Sequence, residues 1–276
     1  MRQCSFGRLH RPADGSGDRV SRVLLSQVGT LDLRDLSVIN EFQGRDFLPY
    51  PFMFTQPSRF ATRDDALAYS NTVPDRFNYG DLNDFHKCVT VYDAADIWVE
   101  CHVQFIPADT PSVRVLAYRA GELGFFAAQQ PEADLIDFYT VSPYDLGEAI
   151  CDAVSLIEPG RHEKIVVPEY ARRVQAEFDS GDFVVRHRSA RRDEVIIPAD
   201  SVTAYATVQS HCRPKRKWGR DRAKESVVWV RIDNEAEYIF EPDASHAKPM
   251  TRSILHERID QLIADDVATL REAYRG

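Results

Sequence analysis

From Asp96 to Tyr139 the chain reads as strands in succession. Ile97-Trp98-Val99-Glu100-Cys101-His102-Val103-Gln104-Phe105 alternates apolar and polar residues for nearly its whole length, as a strand with one buried face does. Pro107 and Pro111 break it, since neither can donate to a ladder and both favour turns. Val113 to Tyr118 resumes in β-branched and aromatic residues, Ala120-Gly121 marks a turn, Leu123 to Gln129 follows, and Asp134 to Val141 closes the run. Connections this short return each strand antiparallel, because a parallel pair needs a crossover of about a dozen residues or more. The chain must therefore hold a meander that buries a face under something else.

The flanking segments supply candidates for that cover. Val20 to Val28 reads as an opening strand ended by Gly29, and Leu33, Leu36, Val38 and Ile39 as a short amphipathic helix starting near Thr30 or Asp32. Leu48-Pro49-Tyr50-Pro51-Phe52 ends it. Thr62 to Asp65 can cap a helix reaching Asn71, and Leu82 to Val91 predicts another through Leu82, Phe85 and Val89. After the meander, Ser142-Pro143-Tyr144-Asp145 offers an N-cap hydroxyl, a first-turn proline and an acid. Leu146, Ala149, Ile150, Ala153, Val154 and Ile157 then share one helical face, which Pro159-Gly160 stops.

Further on, Ile165-Val166-Val167-Pro168 predicts a strand feeding a helix through Tyr170, Val174 and Phe178, and Phe183 to Arg186 a brief strand. Pro198-Ala199-Asp200 predicts a helix through Val202, Tyr205 and Val208. Val227 to Ile232 and Glu237 to Phe240 read as strands, followed by Glu241-Pro242-Asp243 and a last helix with Leu255, Ile259, Leu262, Ile263, Leu270 and Tyr274 on one face. Strands, a proline and an amphipathic helix thus occur twice, which suggests two related halves.

Composition narrows the function classes. At 43% hydrophobic and 28% charged the chain is ordinary for a soluble globular protein. No apolar run reaches the roughly 18 to 20 residues of a membrane span. Met1 to Asp18 is polar, without the apolar segment of a signal peptide, and is expected to be a loose tail. Five scattered cysteines suit a reducing cytosol better than a disulfide framework. A net charge of −9 argues against non-specific nucleic-acid binding by the whole surface.

The familiar phosphate, dinucleotide, nucleophile-elbow and zincin motifs are missing. His86-Lys87-Cys88, Cys101-His102 and His211-Cys212 place His near Cys without the spacing of a zinc site. On a strand, Cys101 and His102 point to opposite faces, so the expectation is a half-buried Cys and a surface His. Seven cations and Trp218 fall between Arg213 and Lys224, where a phosphate backbone could be gripped and a base stacked; a solvated hairpin tip explains them as well. Arg186-His187-Arg188 and Arg191-Arg192 form a second basic cluster.

The order of features resembles the EspG family, the chaperones of ESX (type VII) secretion. The pieces are the helix before Leu48-Pro49-Tyr50-Pro51-Phe52, Arg114-Val115-Leu116-Ala117-Tyr118-Arg119-Ala120-Gly121 in the meander, and Val141-Ser142-Pro143. Ile165-Val166-Val167-Pro168, Val228-Trp229-Val230-Arg231-Ile232-Asp233, and Tyr238-Ile239-Phe240 before Glu241-Pro242-Asp243 complete them. Ala236-Glu237 stands where the family usually has Gly-Arg.

The resemblance implies an α+β fold, a central antiparallel sheet with two helical bundles in quasi-two-fold arrangement. The tail over 1–18 would precede one domain over 19–276, with halves at about 19–160 and 161–276. It implies no enzyme, catalytic residue, metal or cofactor. The chain would be a cytoplasmic chaperone that binds a PE–PPE heterodimer at the helical tip of the PPE subunit and keeps it soluble for export, with the ESX machinery as a further partner and without membrane insertion. The expected partner-binding residues are Arg119, Gly121 and Glu122 of the rim turn with Leu255 and Ile259 of the last helix. The readings that compete are a nucleic-acid-binding protein using Arg213 to Lys224 and an enzyme of another class.

Overall fold

The computed structural model describes residues 23–106, 109–170, 195–212, 219–233 and 236–275. In chain order, β1 (Ser26–Asp32) is followed by α1 (Leu33–Phe42), α2 (Arg63–Ser70), α3 (Val73–Tyr79) and α4 (His86–Asp93). The meander is β2 (Ile97–Phe105), β3 (Val113–Ala120), β4 (Leu123–Gln129) and β5 (Leu135–Val141), and α5 (Leu146–Ala153) follows it. The second part holds β6 (Ile165–Val166), β7 (Val195–Ile196), β8 (Val202–His211), β9 (Val227–Ile232), β10 (Ala236–Phe240), β11 (Ala247–Pro249) and α6 (Arg252–Ala273).

All the strands join one sheet in the order β1-β5-β4-β3-β2-β8-β9-β10-β11-β6-β7. Only the β6–β7 pair is parallel among the named strands. Apart from β7 at one edge, the order reads alike from either end. β2 and β8 lie side by side at the centre, from Trp98↔His211 to Phe105↔Ala204. Each opens a four-strand meander, each meander is flanked by an earlier strand, β1 or β6, and each runs into a helix, α5 or α6.

Side chains alternate across this sheet, so one strand feeds two cores. Ile97, Val99, Cys101 and Val103 face one way, with Val115, Ala117, Phe126, Ala206, Val208 and Trp229, under Ile150 of α5 and Leu255 and Ile259 of α6. Trp98, Leu116, Tyr118, Phe125 and Phe138 face the other way, under α1, α3 and α4. Along that second face, Val228, Val230, Tyr238 and Phe240 pack with Ile165, Val167 and Tyr170. Burial on both faces is why β3 and β9 read as nearly continuous apolar runs.

The structure corrects several boundaries. β1 runs through Gly29 rather than stopping there. The register shifts between Gln27 and Gly29, and the Phe85 ring lies 2.9 Å from where a Cβ on Gly29 would sit, so the glycine admits a bulge and a ring. Ser142 is not the cap of α5. Its hydroxyl accepts from the Tyr144 N–H at 3.3 Å, and Asp145 N donates to Ser142 O at 3.0 Å, which makes a turn before a helix that starts at Leu146. That helix ends at Ala153, so Ile157 lies beyond it.

Val202 to His211 is a strand, not a helix; only Ala199–Ser201 forms a helical turn. Its β-branched residues and two-residue alternation suit the place between β2 and β9 better than the spacing of Val202, Tyr205 and Val208 suits a helix. Leu82 to Val91 is a 3₁₀ turn over Asn83–Phe85 followed by α4. Helix α3 and strand β11 were not foreseen. The helix expected through Val174 and Phe178, the strand from Phe183, and the second basic cluster lie outside the described residues.

Candidate partner-binding surface

The β3–β4 turn is braced from below. Asp96 receives the Arg119 Nε–H on one carboxylate oxygen and the Gly121 N–H on the other, both at 3.2 Å, and Arg119 Nη1 donates to Pro143 O at 3.1 Å. Gly121 holds φ at +56° with nothing near its missing side chain, which is the left-handed conformation the turn requires. Glu122 is exposed and accepts from the Tyr144 hydroxyl at 3.2 Å. Arg119 is therefore committed to the fold, while Gly121 and Glu122 face solvent.

Leu123 and Tyr144 (73% exposed) add apolar surface beside them. From Leu123 an open groove of about 560 Å³ runs along α4, past Lys87, Thr90 and Val91. The last helix does not complete this seat as expected. Leu255 and Ile259 are 0% exposed and pack in the core with Leu146 and Ile150, so they hold α6 down rather than touch a partner. The helices cross closely here, since a Cβ on Gly147 would sit 3.3 Å from Ile259 Cγ2.

A second constellation lies toward the opposite end of β3. His102 and Arg114 face each other across the β2–β3 pair, and Thr207 opposes His102 on the other side. Tyr50 bridges them: its hydroxyl is 3.5 Å from His102 Nδ1 and is hydrogen-bonded by Thr207. Arg114 Nη2 donates to the Met53 thioether at 3.4 Å. His102 Nε2 and Arg114 Nε are buried with no hydrogen-bond partner. Burial pushes His102 down to about 4 and lowers Arg114, and it raises Tyr50. Next to them, Glu100 and His211 pair at 3.3 Å with both side chains buried. Met53, Phe54 and Ile106, 40 to 47% exposed, add apolar surface nearby. His102 is half-buried rather than a surface residue, and the pairing was invisible without the strand register.

Other candidates recede. Residues 213–218 of the basic stretch lie outside the described residues. Asp221, Arg222 and Ala223 are exposed, as a solvated tip would be, but the segment is anchored: Lys224 pairs with Asp266, Arg220 donates to the Tyr205 hydroxyl at 3.3 Å, and Gln209 donates to the carbonyls of Asp221 and Lys224. Burial raises Cys88, Cys101 and Cys151, which keeps these thiols protonated at neutral pH. Among the described residues no group of His, Cys, Asp and Glu is arranged to hold a metal, and no helix is long and apolar enough to cross a membrane.

These features define a class: an α+β protein built on one long, mostly antiparallel sheet with helices on both faces. The family model of the EspG family matches residues 33–230, and the chain belongs to that family. The fold is similar to a chain in the structure of the Mycobacterium tuberculosis type VII secretion system chaperone EspG5 in complex with a PE25–PPE41 dimer. That match has a TM-score of 0.50 at 12% identity and covers 85% of this chain and 95% of the other. No curated protein matches.

Proposed function

We propose that this protein is a cytoplasmic chaperone of type VII secretion that binds a PE–PPE heterodimer at the helical tip of its PPE subunit and keeps it soluble for export. The observation that carries this reading is the family match, which spans the centre of the sheet from α1 to β9. The shared fold with EspG5, a chaperone described in complex with a PE–PPE dimer, supports it. The protein acts by binding rather than catalysis. Its domain is the segment 19–276, and the strand order supports two related halves at about 19–160 and 161–276.

The docking surface includes Gly121 and Glu122 with the neighbouring Leu123 and Tyr144, set on a rim that Arg119 and Asp96 hold rigid. A stable complex would bury roughly 1,600 Å² in total. Co-expression with the PE–PPE pair of the same locus, followed by size-exclusion chromatography, tests the reading. The dimer is expected to co-elute with the chaperone in the presence of EDTA and without nucleotide. Glu122→Arg should weaken the complex by charge reversal at the rim. Failure of the wild-type protein to co-elute would remove the reading.

A further inference from the structure

We propose that His102 and Arg114 form a receptor for a carboxylate side chain of the bound partner, a charged anchor separate from the rim turn. The proposal rests on the PE–PPE reading and adds to it a site and the chemistry of the residue that fills it.

Two polar atoms without hydrogen-bond partners, His102 Nε2 and Arg114 Nε, belong to neighbouring side chains there. The residues are directly opposed on adjacent antiparallel strands, so their side chains leave the same face about 5 Å apart at Cβ. The hydroxyl of Tyr50 is hydrogen-bonded with Thr207 and lies 3.5 Å from His102 Nδ1; with Tyr50 as the donor in that contact, the ring proton sits on Nε2. His102 Nε2 and Arg114 Nε are both among the buried side-chain atoms that make no hydrogen bond. The remaining described bond of the guanidinium goes to the Met53 sulfur, a weak acceptor. A carboxylate that displaces the Met53 sulfur would reach Nε and Nη2, the edge that takes an acid in two parallel bonds, with His102 on the neighbouring strand beside it.

The chain supplies no carboxylate to this edge among the described residues: Glu100, two residues along on the same face, is paired with His211. A guanidinium partly removed from water without a counter-ion is a cost to the lone protein that an incoming acid repays. The exposed Met53, Phe54 and Ile106 give that acid an apolar setting, which fits an acidic residue on an apolar protein segment rather than a freely soluble anion. Arg114 on β3 and Gly121 in the turn that follows it stand seven residues apart, about 23 Å along the strand, so the two sites can be tested independently.

The test uses the full chain and the PE–PPE dimer of its locus, with calorimetric titration at about 50 and about 300 mM NaCl. Arg114→Gln is expected to weaken binding about thirtyfold or more and to flatten its salt dependence, and Arg114→Lys to fall between. In the unbound protein Arg114→Gln should leave the melting temperature unchanged or raise it, which a structural arginine would not allow. Binding of Arg114→Gln within about twofold of wild type would overturn the anchor while leaving the chaperone reading in place. Weaker binding with a loss of several degrees in melting temperature would also overturn it, as a packing role. A wild-type protein that binds no dimer would overturn both.

Discussion

Replacing Glu237 by leucine removes a carboxylate that is 1% exposed and leaves its partner in place. One oxygen of Glu237 accepts from Arg231 Nε at 3.1 Å and from Nη2 at 2.7 Å; the other accepts from Ile157 N at 3.4 Å. Arg231 Nη2 also donates to Ser155 O at 2.6 Å, so the pair clamps the segment after α5 against the sheet. Leucine strands a buried guanidinium and frees the Ile157 N–H, and breaking such a pair costs about 3–5 kcal/mol. For a chain of this size that lowers the melting temperature by about 10 °C. Replacing both partners, Arg231→Met with Glu237→Leu, removes the stranded charge as well, and an apolar pair is often neutral or stabilising. Urea unfolding of wild type, both single variants and the double variant closes the cycle. The double variant should recover at least about 2 kcal/mol over Glu237→Leu. A Glu237→Leu protein within about 1 kcal/mol of wild type, or a double variant no better than the single, would refute the clamp.

Ile150→Ala should cost about 2–5 kcal/mol in the same assay, because Ile150 is wholly buried between α5 and the meander. Ser142→Ala should change stability by less than about 0.5 kcal/mol, since that hydroxyl serves a turn and not a helix cap. His102, held at about 4, contributes stability that is complete above its unfolded value near 6.5. Between those values the unfolded chain binds the extra proton, so up to about 3 kcal/mol is lost as pH falls through that window. His102→Gln should abolish this part of the slope in unfolding curves collected from pH 7 to pH 4.

The meander was legible because alternation and prolines are local signals, and its four strands fall within a residue or two of where Ile97, Val113, Leu123 and Asp134 placed them. Val202 to His211 was misread since Val202, Tyr205 and Val208 fit a helical spacing; only the strand's place between β2 and β9 decides for alternation. Ser142-Pro143 carried the residues of a helix start, but the bond from Arg119 to Pro143 O holds them as a turn against the hairpin. For the candidate site, the rim turn was readable from Ala120-Gly121. Helical periodicity identified the apolar face of Leu255 and Ile259 but not whether it met the core or a partner. The His102–Arg114 pair depends on register, a long-range quantity that no local pattern encodes.

Light scattering of a PE–PPE dimer, recorded alone and with increasing amounts of this protein, tests the chaperone reading most directly. The account predicts that scattering falls to baseline near one chaperone per dimer, unaffected by EDTA and without nucleotide, and that Glu122→Arg shifts the titration to higher concentration. Scattering that persists at molar excess of the wild-type protein would contradict it.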